Sequence, residues 1–122
     1  TRAISLMWNQ RSVDVPLGLP FNVASYGLLL ELLAQMTNMV ADELIGNLGD
    51  CHIYENQLAG CREQIPREPF ALPKLRINTE FWATSDDVAK YTLDTEILSM
   101  LIEDFQIEGY ESHPAIKVPL SN

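Results

Sequence analysis

The fold is decided by the stretch Gln10-Arg-Ser-Val-Asp-Val-Pro-Leu-Gly-Leu-Pro-Phe-Asn-Val-Ala-Ser-Tyr26, in which a polar segment runs into an apolar helix. The polar segment supplies a cation, a hydroxyl and a carboxylate, from Arg11, Ser12 and Asp14. Gly18, a conformationally flexible residue, follows at the turn. This collection at the mouth of a helix is suited to binding a small polar anion.

A helix is predicted from Phe21 to about Met39. Its leucines cover most of the circumference and leave one narrow polar stripe, which predicts a central, largely buried helix. Asn22 lies at its beginning, where free N–H groups and the helix dipole favour an anion or a ligand carbonyl. The local pattern leaves two interpretations of Asn22 open, a ligand-binding amide or a simple helix cap.

The rest of the chain predicts one α+β domain over residues 1–122, with a twisted mixed β-sheet packed on the central buried helix. Strands are predicted at two alternating stretches, Ala3–Asn9 and Phe105–Tyr110, at Asp42–Tyr54, which is rich in glycine toward its end, and at Leu72–Ile77, with Pro73 at its start. Helices are predicted at Glu55–Gln64 and Asp94–Ile102, with a polar irregular part at Thr79–Lys90 between them. Loops are predicted from Gln10 to Leu19 and over the tail that carries Pro114 and Pro119.

Composition excludes several classes of function. The net charge is −9 with only eight Lys and Arg, so we expect no nucleic acid partner. Polar residues interrupt the one long apolar run, so we expect no membrane span. There is no glycine-rich phosphate loop and no Cys/His spacing for zinc, so we expect no metal. Two cysteines without a signal-like start favour a reduced, cytoplasmic setting.

Four motifs in this order resemble the thymidylate synthase family. They are the Gln10–Tyr26 block, Gly49-Asp-Cys-His-Ile-Tyr54, Arg67-Glu-Pro69 with Leu72-Pro-Lys-Leu75, and Ser112-His-Pro-Ala-Ile-Lys117. The match runs from about residue 5 to residue 117, thins between 79 and 100, and corresponds to the C-terminal part of the family. The resemblance implies a thymidylate synthase-like fold truncated at its N-terminus, and a homodimer.

The resemblance also assigns roles toward dUMP. Arg11 and Ser12 match the phosphate ligands, and Asn22 matches the amide that reads uracil through O4 and N3–H. Asp14 matches a residue whose backbone touches the pyrimidine, while His52 and Tyr54 match the pair that binds the ribose 3′-hydroxyl. Without the family, His52 and Tyr54 would read equally well as core polar residues.

For the cosubstrate, 5,10-methylenetetrahydrofolate, the resemblance implies a second set of contacts. The Asp14 carboxylate would bind the folate, Gly18 would permit its close approach, and Leu17 and Phe21 would be apolar walls. The implied reaction is the reductive methylation of dUMP to dTMP. The related cytosine hydroxymethylases carry Asp at the position of Asn22, so the amide favours uracil.

Some positions depart from the family pattern. The nucleophilic cysteine belongs to a motif that would precede Thr1, so we expect no catalytic residue in this chain and no activity from it alone. Cys51 is expected to be a small packed residue. Gln57 stands where many members have His, and the tail Leu120-Ser-Asn122 departs from the usual apolar end. The alternatives are a non-catalytic nucleotide-binding or oligomerisation module, or a related pyrimidine nucleotide hydroxymethylase.

Overall fold

The computed structural model describes residues 2–78 and 100–120. Its elements are β1 (Ala3–Asp14), α1 (Gly18–Met36), β2 (Val40–His52), a 3-10 turn (Glu55–Gln57), α2 (Leu58–Gln64), β3 (Lys74–Ile77), a second 3-10 turn (Ile102–Asp104) and β4 (Phe105–Glu108). This mixture of helices and strands confirms the α+β class. The irregular part predicted at Thr79–Lys90, and all but the end of the helix predicted at Asp94–Ile102, lie outside the described residues.

The chain divides into two compact units, residues 1–68 with 114–122, and residues 69–113. In the first, β1 pairs with β2 in parallel, from Ala3 beside Val40 to Asp14 beside His52. Parallel neighbours need a crossover connection, and α1 supplies it. The loop predicted at Gln10–Leu19 is wrong at both ends. The ladder with β2 keeps the backbone extended as far as Asp14, and α1 already begins at Gly18, so only residues 15–17 form the turn.

Two glycines of β2 allow close packing against β1. A Cβ atom on Gly46 would lie 2.5 Å from the indole ring of Trp8, and one on Gly49 would lie 2.6 Å from the backbone oxygen of Arg11. Tyr26 of α1 also packs on Trp8. The two rings are stacked nearly parallel, with their centroids 4.9 Å apart. Glycine in this strand therefore permits close approach of β1.

The helix α1 begins at Gly18 and places Pro20 in its first turn, as its missing N–H allows. Its burial is uneven along its length. Leu30, Leu32 and Ala34 are buried against the sheet, whereas Phe21 near the start is 75% exposed. The prediction of a buried helix thus holds for the C-terminal half of α1, and its N-terminal half lies open.

In the second unit, β3 and β4 form an antiparallel pair, from Lys74 beside Glu108 to Ile77 beside Phe105. Arg76 forms an ion pair with Glu108 across this strand pair. The two sheets of the described residues are therefore small, one parallel and one antiparallel. Within residues 2–78 and 100–120, no helix has both the length and the apolarity needed to cross a membrane.

Candidate functional site

The side chain of Gln10 connects the end of β1 to the head of α1. Its Nε2 donates to Oδ1 of Asn22 at 2.9 Å and to the backbone oxygen of Ser12 at 3.2 Å. Its Oε1 accepts from the indole Nε1 of Trp8 at 3.2 Å. Asn22 makes no capping hydrogen bond, and the cap position of α1 is Leu17. The interpretation of Asn22 as a simple helix cap is therefore wrong.

Asp14 and Asn22 flank Gly18. A Cβ atom added to Gly18 would lie 3.6 Å from Cβ of Asp14 and 3.7 Å from Oδ1 of Asn22. The Asp14 carboxylate is held by the start of the helix, since its Oδ1 accepts from the backbone N–H of Leu17 at 3.2 Å. The carboxylate of Asp14 and the carboxamide of Asn22 therefore lie close together at the first turn of α1. The partly exposed region around Gly18 that they flank is called the opening below.

His52 and Tyr54 lie beside this opening because the parallel register places His52 next to Asp14. The two rings meet edge to face, with centroids 5.1 Å apart. Nδ1 of His52 lies 3.2 Å from the backbone oxygen of Asp50. A carbonyl oxygen only accepts, so Nδ1 carries the proton, and in the neutral ring Nε2 is an acceptor.

Arg11 is placed differently from the other predicted site residues. Its side chain is exposed, and it lines an open depression with Asn9, Asn47 and Gly49. Alternation along β1 directs it away from the face that carries the side chain of Gln10. Within the described part of the chain its guanidinium makes no hydrogen bond or ion pair, and no contact joins it to Asn22. The Arg11 guanidinium therefore lies at the border of the cluster formed by the other predicted site residues.

The residues expected to bind the folate lie around the start of α1. Phe21 presents an exposed ring and Leu17 a half-buried apolar side chain at the start of α1. Gly18 leaves the space between them and Asp14 without a side chain. Each carboxylate oxygen accepts more than one hydrogen bond, so Asp14 retains capacity for ring N–H groups.

Comparison with known proteins decides the family. A family profile described as thymidylate synthase matches residues 1–122. This chain belongs to the thymidylate synthase family. Similar relatives are the thymidylate synthases of three strains of Francisella tularensis subsp. holarctica (FTNF002-00 / FTA, OSU18 and LVS), each 43% identical over 118 residues. These matches cover 97% of the chain and 38% of each relative, so the chain spans under half of the length of these thymidylate synthases.

Two glutamines of the site were missed in the sequence. Gln10 was assigned no role, although its amide organises Asn22 and Ser12. Gln57 was noted only as a substitution within the thymidylate synthase family, and yet it is the fully buried polar side chain of the described residues. A glutamine on a strand or turn has no pattern of its own, so only the tertiary contacts identify it.

The expectation that Cys51 is packed is wrong, because its side chain is exposed on β2. In the register Cys51 is the partner of Val13, and His52 is the partner of Asp14. Neighbouring side chains on a strand point to opposite faces. Cys51 is thus directed away from the face on which this thymidylate synthase family chain carries Asp14 and His52.

Proposed function

We propose that this chain supplies most of the dUMP-binding site of an enzyme that reductively methylates dUMP to dTMP with 5,10-methylenetetrahydrofolate. The observation that carries the proposal is the placement of Asn22 by Gln10, beside Asp14 and Gly18, at the open head of α1. Family membership supplies the reaction class.

Asn22 reads the base through an amide whose orientation is fixed. Because Nε2 of Gln10 donates to Oδ1 of Asn22, that atom is the oxygen and the other is the Nδ2 donor. Oδ1 keeps a lone pair for the N3–H of uracil, and Nδ2 donates to O4. Cytosine offers an acceptor at N3 and a donor at N4, so it would need the amide reversed. A reversed amide would set two donors against each other at Gln10, which argues against the cytosine hydroxymethylase alternative.

Arg11 and Ser12 bind the phosphate. A guanidinium fork with a hydroxyl is the donor set that a phosphate dianion prefers. The exposed Arg11 has no competing partner among the described residues, and its long side chain can reach around β1 toward Ser12. The phosphate would lie at the C-terminal end of β1, one nucleotide length from the base at Asn22.

His52 and Tyr54 bind the ribose. The unprotonated Nε2 of His52 accepts from the 3′-hydroxyl, and the phenol of Tyr54 is a second polar group next to it. The neighbourhood of His52 and Asp14 in the parallel register supports this assignment.

The folate cosubstrate binds over the head of α1. It supplies the one-carbon unit and the hydride when bound. Asp14 accepts from its ring N–H groups, and Phe21 and Leu17 enclose its apolar surface. No residue of this chain is assigned as the nucleophile, which would come from outside these 122 residues, and the free thiols Cys51 and Cys61 suit a cytoplasmic protein.

The same enzyme would be a homodimer. Met7 of β1 is 60% exposed and Val40 of β2 is 54% exposed, although both belong to apolar strands. A second copy would remove such apolar surface from water. A purely non-catalytic oligomerisation module would use this surface too, but it would not need the arrangement of polar groups around Gly18.

Calorimetry with the intact protein tests the base assignment. Wild type should bind dUMP and bind dCMP at least about tenfold more weakly, because a site built to hydrogen-bond one base leaves buried groups unpaired with the other. Asn22→Asp should reverse or abolish this preference. Equal affinity for the two nucleotides in wild type would reject the proposed function.

A further inference from the structure

The C-terminal residues 114–119, here called the strap, lie directly on α2. Arg67 Nη1 donates to the backbone oxygen of Pro114 at 2.7 Å and anchors one end. In the middle, a Cβ atom on Gly60 would lie 2.9 Å from Val118 Cγ2 and 3.2 Å from Ile116 Cγ2. The backbone of α2 is therefore in contact with the strap, and glycine makes that contact possible.

Gln57 anchors the other end of the strap and is fully buried. Its Oε1 accepts from the backbone N–H of Tyr54 at 3.1 Å, which fixes the orientation of the amide. Its Nε2 then donates both protons, to Oδ2 of Asp14 at 3.3 Å and to the backbone oxygen of Pro119 at 3.4 Å. A single nitrogen thus joins the site carboxylate to the strap.

We propose that Gln57 is a positioning residue that couples docking of the strap to binding of the folate cosubstrate. With Leu17 N–H on Oδ1 and Gln57 on Oδ2, the Asp14 carboxylate is held from both sides. If the strap moves away from α2, Gln57 Nε2 loses the backbone oxygen of Pro119, one of its two acceptors. Gln57 is then less well fixed, and its hydrogen bond to Asp14 weakens. The inference rests on the proposed function in one respect, the assignment of Asp14 to the cosubstrate.

The chemistry of the amide explains why the position carries glutamine. An amide nitrogen donates two protons, whereas a neutral imidazole has one N–H to donate. A glutamate would place a second carboxylate against Asp14. Coupling is reciprocal by thermodynamic linkage, so the cosubstrate should also hold the strap in place.

The test uses the intact protein with Gln57→Leu, Gln57→Glu and the control Gln64→Glu, an exposed position on α2. Three quantities are measured: the Kd of dUMP, the Kd of 5,10-methylenetetrahydrofolate with dUMP bound, and amide hydrogen exchange of the strap. Gln57→Leu should weaken cosubstrate binding and speed strap exchange about tenfold, the usual consequence of removing a hydrogen bond to a charged group. The Kd of dUMP should change much less than that of the cosubstrate, since Gln57 contacts Tyr54 only at its backbone N–H and not at the phenol proposed to bind the ribose.

Gln57→Glu adds a pH signature that simple loss of packing would not produce. Protonated Glu donates its O–H to Asp14 and accepts from Tyr54 N–H, so binding should resemble wild type at low pH. Two adjacent carboxylates raise the pKa of one of them, so cosubstrate affinity should fall as the pH rises through that pKa. His52 neighbours Asp14 in wild type and in every variant, but among the described residues wild type and Gln64→Glu have no second carboxylate beside Asp14, so they should lack this additional fall.

Gly60→Ala is a second route to the same result, because its Cβ would displace Val118 while Gln57 stays intact. Gly60→Ala should speed amide hydrogen exchange of the strap and, in parallel, weaken binding of the cosubstrate. Unchanged exchange and unchanged cosubstrate affinity in Gln57→Leu would overturn the coupling. Failure of wild type to bind dUMP would instead reject the proposed function, and strap exchange in Gln57→Leu would still decide whether Gln57 holds the strap.

Discussion

Nε2 of Gln10 lies 2.9 Å from Oδ1 of Asn22, so an amide at the end of β1 determines how an amide at the head of α1 is oriented. The indole N–H of Trp8 donates a hydrogen bond to Oε1 of Gln10. Trp8 itself packs against Tyr26 and Gly46. A chain of contacts therefore runs from the stacked pair Trp8 and Tyr26 to the polar groups at the head of α1. In the proposed function, base recognition would depend on the core through this chain.

Replacing Gln10 should weaken discrimination between bases more than it weakens the fold. In Gln10→Leu the amide of Asn22 loses the donor that fixes its orientation, so both orientations become available. We expect dUMP affinity to fall about five- to tenfold, the size of one neutral hydrogen bond, and the preference for dUMP over dCMP to shrink with it. Calorimetry with both nucleotides measures this. Gln35→Leu, at an exposed position of α1, is the matched control and should leave both affinities unchanged.

Arg11 should contribute to affinity only through the phosphate. We expect Arg11→Ala to lower dUMP affinity by roughly ten- to a hundredfold, because charge-assisted hydrogen bonds are the strong ones, and to leave deoxyuridine affinity unchanged. Arg62→Ala on α2 is the control for loss of a surface cation. The same loss for dUMP and for deoxyuridine would show that Arg11 acts on the fold and not on the phosphate.

Two glycines should respond to alanine in opposite directions. Gly27 lies inside α1, where an added Cβ would be 3.8 Å from Leu44 Cδ2 in ordinary contact, so Gly27→Ala should stabilise by roughly 0.5–1 kcal/mol. Gly49→Ala would place its Cβ against the backbone oxygen of Arg11 and should destabilise by about 1–3 kcal/mol. Chemical denaturation of the intact protein measures both. Equal shifts in the free energy of unfolding would contradict the β1–β2 packing.

Cys51 should be dispensable for catalysis. Its exposed thiol points away from Asp14 and His52 along β2, so Cys51→Ala should keep activity within about twofold, as exposed substitutions away from a site do. A tritium-release assay that compares the turnover of the intact wild-type protein, Cys51→Ala and the companion variant Cys61→Ala checks this. Loss of activity in Cys51→Ala alone would make Cys51 the nucleophile and would refute our assignment.

The elements of this fold were readable where local signals are strong. The apolar stretch after Phe21 predicted the helix α1, which begins at Gly18, and strands were predicted at the positions of β2, β3 and β4. The extension of β1 over Gln10–Asp14 was not readable, because polar residues there look like a loop and only the ladder with β2 keeps them extended. The sequence of a segment alone does not predict which other strand will pair with it.

The site was predicted through family motifs, and the structure adds how its members meet. Asp14 and His52 become neighbours only through the parallel register, a relation between residues far apart in sequence. Gln57 acquires its importance from complete burial between Asp14 and Pro119, which no local signal announces. Arg11 was expected to converge with Asn22, and its position at the border of the cluster keeps that convergence a prediction.

A crystal structure of the intact protein with dUMP tests the central claim most directly. We predict phosphate oxygens within about 3.2 Å of the Arg11 guanidinium and the Ser12 hydroxyl, and uracil N3 and O4 within about 3.2 Å of the Asn22 amide, in one bound molecule. A nucleotide that touches Asn22 while its phosphate lies on other cations, away from Arg11, would contradict the claim.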